Sequence, residues 1–233
     1  MKAQLIRHIP LVAATWLLVA SSAWSASVVQ YDLTGKAGTE PSDPATTVAA
    51  GLAGLDLTRG SGLTPSAASN GFSASGWDDL GPNDYFSFGF NVQAGYSATV
   101  NELLIATRSS ATGPGFMNVR VSKDGGAFTL LATLTQPNAQ FLDEDLTFAP
   151  ITVTSSLVVE LRAANSTAAN GGTIGSAGTF RVSDYSPDGG ATFQPITLNG
   201  TVSPNAVHEP SSLLTGCVAF AVVAGLVLRR RAA

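Results

Sequence analysis

The stretch Asp84-Tyr-Phe-Ser-Phe-Gly-Phe-Asn-Val92 sets the strictest condition on the fold. Phe86, Phe88, Phe90 and Val92 share one face of an extended chain, and Ser87, Gly89 and Asn91 share the other. A period of two belongs to a strand, whose successive side chains point to opposite faces. Three phenyl rings on one face demand a second apolar layer to bury them. The pattern recurs: Met117, Val119 and Val121 alternate with Asn118 and Arg120. Leu157, Val159 and Leu161 alternate with Val158, Glu160 and Arg162, and Phe180 and Val182 with Arg181 and Ser183. These runs predict half-buried strands. Further strands are expected over residues 27–33, 98–107, 128–134, 140–148 and 193–202.

Turn chemistry separates the runs. Lys123-Asp-Gly-Gly126 predicts a hairpin joining 119–122 to 128–134. Thr112-Gly-Pro-Gly115 and Asn170-Gly-Gly172 are further turns. Residues 48–57 read as either a strand or a helical turn, and 59–70 as loop. Many short strands between such turns define an all-β fold, an antiparallel β-sandwich or jelly roll.

The two ends are of another kind. Lys2 and Arg7 precede an apolar run over 9–20, and small residues close it. Ala23 and Ser25 suit cleavage after Ser25, so 1–25 reads as a secretory signal peptide. Residues 213–228 are apolar except for Thr215, and Arg229, Arg230 and Arg231 follow. That run is slightly short of the roughly 20 residues a spanning helix needs. Flanking serines and snorkelling arginines extend it, and the arginines belong on the cytoplasmic side. The expected order is signal peptide 1–25, sandwich 26–202, linker with a sorting motif 203–212, transmembrane segment 213–228 and basic tail 229–233.

The motif His208-Glu209-Pro210, a span and the arginine cluster resemble the bacterial PEP-CTERM sorting signal. His208 stands where that family has its first proline. The resemblance implies an exosortase-type processing enzyme as partner. It also implies export, transient anchoring in the membrane, and release to the cell surface or beyond. The body is similar to a domain that recurs in PEP-CTERM proteins. That likeness rests on Arg59-Gly-Ser-Gly-Leu63, Phe72-Ser-Ala-Ser-Gly-Trp77, Asp84-Tyr-Phe-Ser-Phe88, Arg108-Ser-Ser-Ala-Thr-Gly-Pro114 and Ile196-Thr-Leu-Asn-Gly-Thr-Val202. The resemblance implies no activity for this chain.

Composition narrows the chemistry. Residues 26–207 hold seven Lys and Arg against fifteen Asp and Glu, a balance of −8. Such a surface repels phosphate backbones, which argues against nucleic acid as a partner. Both histidines, His8 and His208, and the sole cysteine, Cys217, lie outside this body. It therefore builds no Ser-His-Asp triad, Cys-His dyad or histidine zinc site.

Carboxylates remain. Asp143-Glu144-Asp145 reads as solvated loop charge, and Asp78-Asp79 is a second cluster. Asp184 and Asp188, in Asp184-Tyr-Ser-Pro-Asp188-Gly-Gly190, form either a plain turn or a structural calcium site. No other cofactor is expected. The run 186–193 resembles an Asp-box hairpin, with Ser122-Lys-Asp124-Gly-Gly126 as a partial second copy. Tyr85 and Tyr185 are candidates to stack on a sugar ring, whereas Trp77 reads as core. The leading reading is a non-enzymatic exported cell-envelope or extracellular-matrix protein. The alternative is a carbohydrate-binding module with extracellular polysaccharide as partner. A carboxylate-based glycoside-active enzyme is the third.

Overall fold

Alternating sequence becomes paired strands. The computed structural model describes residues 26–184 and 193–205, and regular structure within them is entirely β. In chain order the strands are β1 (Ala26–Tyr31), β2 (Ser42–Asp43), β3 (Thr47–Val48), β4 (Leu52–Arg59), β5 (Thr64–Pro65), β6 (Gly71–Ser75) and β7 (Phe86–Val92). They continue as β8 (Tyr96–Ser109), β9 (Phe116–Lys123), β10 (Thr129–Thr135), β11 (Phe141–Val153), β12 (Ser156–Ala163), β13 (Phe180–Ser183) and β14 (Ile196–Pro204).

Two antiparallel sheets form. The smaller has the order β10-β9-β12-β7-β4-β2. The larger has the order β3-β1-β14-β8-β13-β6-β5, with β11 also paired to β8. The long strand β8 organises it. Strand β11 lines one edge of β8 from Ala98 to Arg108. The other edge is shared end to end: β14 takes Tyr96–Leu104 and β13 takes Ala106–Ser109. Ser183 lies opposite Ala106 and Thr197 opposite Leu104.

The inward faces make one core. Phe86, Phe88 and Phe90 are buried, as are Met117, Val119, Val121, Leu157, Val159, Leu161, Phe180 and Val182. The sheets meet through edge-on rings: Phe72 and Phe86 at 5.3 Å, and Tyr31 and Phe88 at 5.5 Å between centroids. Trp77 is fully buried against Phe86 and Phe180, and its indole N–H donates to Ala74 O at 2.9 Å. It is a core residue, as read from the sequence.

The hairpin at 123–126 forms between β9 and β10. Asp124 (φ 51°) and Gly125 (φ 73°) give the left-handed pair that a two-residue turn needs. The Asp124 carboxylate accepts N–H groups from Thr154, Ser155 and Ser156, so this Asp-box-like piece ties two turns together.

Of the two readings of residues 48–57, strand or helical turn, the strand holds: Leu52–Arg59 is β4, although its burial does not alternate cleanly. Three expectations are corrected. The segment 59–70 is not all loop, because Thr64–Pro65 pairs with β6. Asp143, Glu144 and Asp145 lie within β11, not in a loop. Strand β14 also runs to Pro204, into the segment read as linker. The expected signal peptide, the transmembrane segment, and the motif residues His208, Glu209, Pro210, Arg229, Arg230 and Arg231 lie outside the described residues.

Candidate functional site

The seven cations of this acidic body have distinct fates. Lys36 pairs with Asp43 at 2.6 Å. On the outer face of the smaller sheet, Glu160 lies between Arg120 at 3.0 Å and Arg162 at 3.6 Å. Arg162 also donates to Gly81 O at 2.5 Å. Arg59 donates to the carbonyls of Ser73, Glu40 and Gly38 and covers the Phe72 ring at 3.5 Å. Burial lowers its pKa to about 10. Lys123 is exposed on the hairpin. Arg108 and Arg181 remain, and among the described residues neither forms an ion pair with a carboxylate.

Register brings these two together. Arg108 of β8 sits directly opposite Arg181 of β13, Phe141 of β11 opposite Arg108, and Ser73 of β6 opposite Arg181. Directly opposed residues share a face, with Cβ atoms about 5 Å apart. The result is a row, Phe141–Arg108–Arg181–Ser73, across four strands. Both guanidinium groups lie near the Phe141 ring, Arg181 at 4.7 Å and Arg108 at 5.5 Å from its centroid. Phe141 itself is 47% exposed. Arg108 Nε donates to Ala139 O at 3.1 Å. A cavity of about 260 Å³ opens here, lined by both arginines, Ser73, Ser110, Thr179 and small alanines. Drug-sized ligands occupy pockets of roughly 300–1,000 Å³, so this one is smaller than such sites.

The residues singled out from the sequence fall elsewhere. Tyr85 is half-buried, 5.9 Å from the Arg162 guanidinium on the other sheet. Asp184 is buried at the end of β13, where its oxygens accept Leu33 N–H and Thr34 O–H, each at 2.9 Å. Burial raises its pKa despite those bonds. Asp188 and Tyr185 lie outside the described residues. Among the described residues no three His, Cys, Asp or Glu side chains converge to hold a metal ion. The arginine row was missed because its members are far apart in sequence. The available signal was Arg181, a cation on the outward face of an alternating run in a chain poor in cations.

One carboxylate pair is chemically distinctive. Asp79 and Asp84 share a side-chain hydrogen bond, and Gly81 N–H donates to both, at 3.0 and 2.5 Å. Asp84 is 3% exposed. Burial, reinforced by the bond to Asp79, pushes its pKa up to about 6, while Asp79 is held low by the same bond. The folded pair thus holds a proton that the unfolded chain releases near pH 4. Its stabilisation is complete below that pH and is lost as pH rises to about 6. Asp84→Asn keeps a neutral group there. Between pH 5 and 7 the parent should lose more urea resistance than Asp84→Asn. A difference between the two that does not change with pH would contradict this.

No family model and no curated protein matches the chain. Among solved structures, two variants of CBM29-2, a family 29 carbohydrate-binding module studied for ligand recognition, are similar. One has 10% identity and a TM-score of 0.39, covering 77% of this chain and 92% of its own. The other has 11% identity and a TM-score of 0.38, covering 81% and 99%. A CBM4 structure has 16% identity and a TM-score of 0.24, covering 66% and 79%. The fold assignment stands on the strand pairing above, not on these likenesses.

Proposed function

We propose that this chain is a non-catalytic glycan-binding protein of the cell exterior. The observation that carries the reading is the row Phe141–Arg108–Arg181–Ser73, a half-exposed aromatic ring next to a cavity of about 260 Å³ that both arginines and Ser73 line. A sugar offers an apolar ring face to stack and hydroxyls to bond, and a few fixed polar groups then set its orientation. Catalysis has little to work with. The body lacks His and Cys. Asp79 and Asp84 share a hydrogen bond, which is closer than the roughly 5 Å that a retaining glycosidase pair keeps.

Full-length protein in detergent, screened on an oligosaccharide array, should bind a defined subset of glycans. Phe141→Ala should weaken that binding at least tenfold at unchanged melting temperature. Absence of any bound glycan, or full binding by Phe141→Ala, would defeat the reading.

Delivery to the exterior is part of the proposal. It rests on the signal-like start and on the PEP-CTERM-like end, His208-Glu209-Pro210 with Arg229, Arg230 and Arg231, read by an exosortase-type enzyme. Intact mass of protein from its native cells should show neither residues 1–25 nor the arginine cluster. A mature species retaining Arg229–Arg231 would refute sorting by cleavage.

A further inference from the structure

Strand β10 ends the smaller sheet, and among the described residues no strand pairs with its outer edge. Open edges invite pairing with another chain, and folds ordinarily blunt them with charge, proline or short length. The other terminal strands carry such devices. Strands β2, β3 and β5 have two residues each, and β5 ends in Pro65. Strand β11 carries Asp143, Glu144, Asp145 and Pro150. Strand β10 has seven residues, Thr-Leu-Leu-Ala-Thr-Leu-Thr, with no charge, proline or glycine. Its register shifts between Leu130 and Ala132, and Ala132–Thr135 pair regularly with β9. The side chains match the bare backbone. Leu130 is 61% exposed, more than any other large apolar side chain among the described residues. It lies opposite Arg120 on the outer face of the sheet. Behind it two arginines, Arg120 and Arg162, stand against one Glu160, so this flank of an acidic body is not acidic.

We infer that β10 is an interaction edge whose occupant is a second copy of this chain, paired antiparallel about a two-fold axis so that the two smaller sheets become one. Charge selects the copy. Like charges opposed across strands destabilise a sheet, and pairing β10 with itself opposes none, although each body carries a balance of −8. Symmetry selects it as well. A two-fold axis normal to the sheet keeps outer face with outer face, so Leu130 of each copy lies beside the seam. The contact occupies both β10 edges at once and therefore closes at two copies.

The test is sedimentation of the full-length protein in density-matched detergent, with hydrogen exchange read at the same concentrations. The protein should pass from one copy to two as its concentration rises. Added salt should tighten the pairing, because it screens the repulsion between two acidic bodies. Leu130→Lys and Thr135→Lys place on β10 the kind of charge that blunts other edges. Both side chains are exposed, so neither change disturbs the core. Each should weaken association at least tenfold and leave the melting temperature of the dilute protein unchanged. The β10 amides not bonded to β9 should exchange at least tenfold more slowly in the dimer, and those of β11 equally in both states. A single copy at every concentration overturns the inference. So does association that both lysine variants keep, which would place the contact in the apolar run 213–228. Outer β10 amides already slow in the dilute protein would overturn it too, since another part of the chain would then cover the edge. Slowing confined to β11 would put the seam on the wrong strand and overturn it as well.

Discussion

Phe88→Ala is expected to lower the stability of a chain spanning residues 26–205 by about 3–5 kcal/mol. Phe88 is buried, its ring stands edge-on to Tyr31 at 5.5 Å, and it lies between Phe86 and Phe90 on the inward face of β7. Truncation leaves a cavity that two packed sheets cannot close without moving strands. Domains of this size have about 5–15 kcal/mol in total, and no disulfide supports this one, since Cys217 lies outside it. Ser87→Ala, on the opposite face, loses a hydroxyl contact with Thr58 at 3.0 Å. Its cost should be about 1 kcal/mol. Urea midpoints measured side by side test the contrast. Equal midpoints would mean that β7 does not face the core as described.

Gly89→Ala should cost about 4 kcal/mol or more, outside the ordinary range for point substitutions. Gly89 has φ +147°, a conformation side chains rarely adopt. A Cβ there would lie 2.1 Å from Leu157 O, a backbone atom of the neighbouring strand. The glycine also serves the core: its N–H donates to the Tyr31 hydroxyl at 3.0 Å, and that hydroxyl reaches Leu55 O at 2.6 Å. A methyl group would force β7 and β12 apart beside this buried bond. Expression of a soluble Gly89→Ala protein with the parent's midpoint would show that the strands approach less closely than described.

Alternation made the architecture readable wherever one face of a strand is buried. Residues 86–92, 117–121, 157–161 and 180–182 announced themselves this way, and the Lys123–Gly126 turn joined the strands around it. Strand β4 did not, because its partners satisfy its backbone while its side chains bury irregularly. Pairs such as Thr47–Val48 are too short to carry a period. The candidate site was hidden for a different reason. Arg108, Phe141 and Arg181 come from three strands, and only the register of β8 with β11 and β13 sets them in one row. A single sequence shows charge and periodicity but not register between distant strands. Asp184 stood out as a member of an Asp-rich stretch, and its carboxylate proves to be bonded to Leu33 and Thr34.

Strand β11 has a consequence for how copies of this protein coexist. One of its edges is paired to β8, and among the described residues no strand pairs with the other. A long strand with an open edge is a template on which a second molecule can polymerise. Here the edge strand carries Asp143, Glu144 and Asp145 in succession, a proline at Pro150, and a break in register between Thr147 and Ile151. Two such edges brought together would oppose carboxylate to carboxylate and meet a proline that cannot donate. The acidic run and the proline thus disfavour edge-to-edge pairing of two copies through β11.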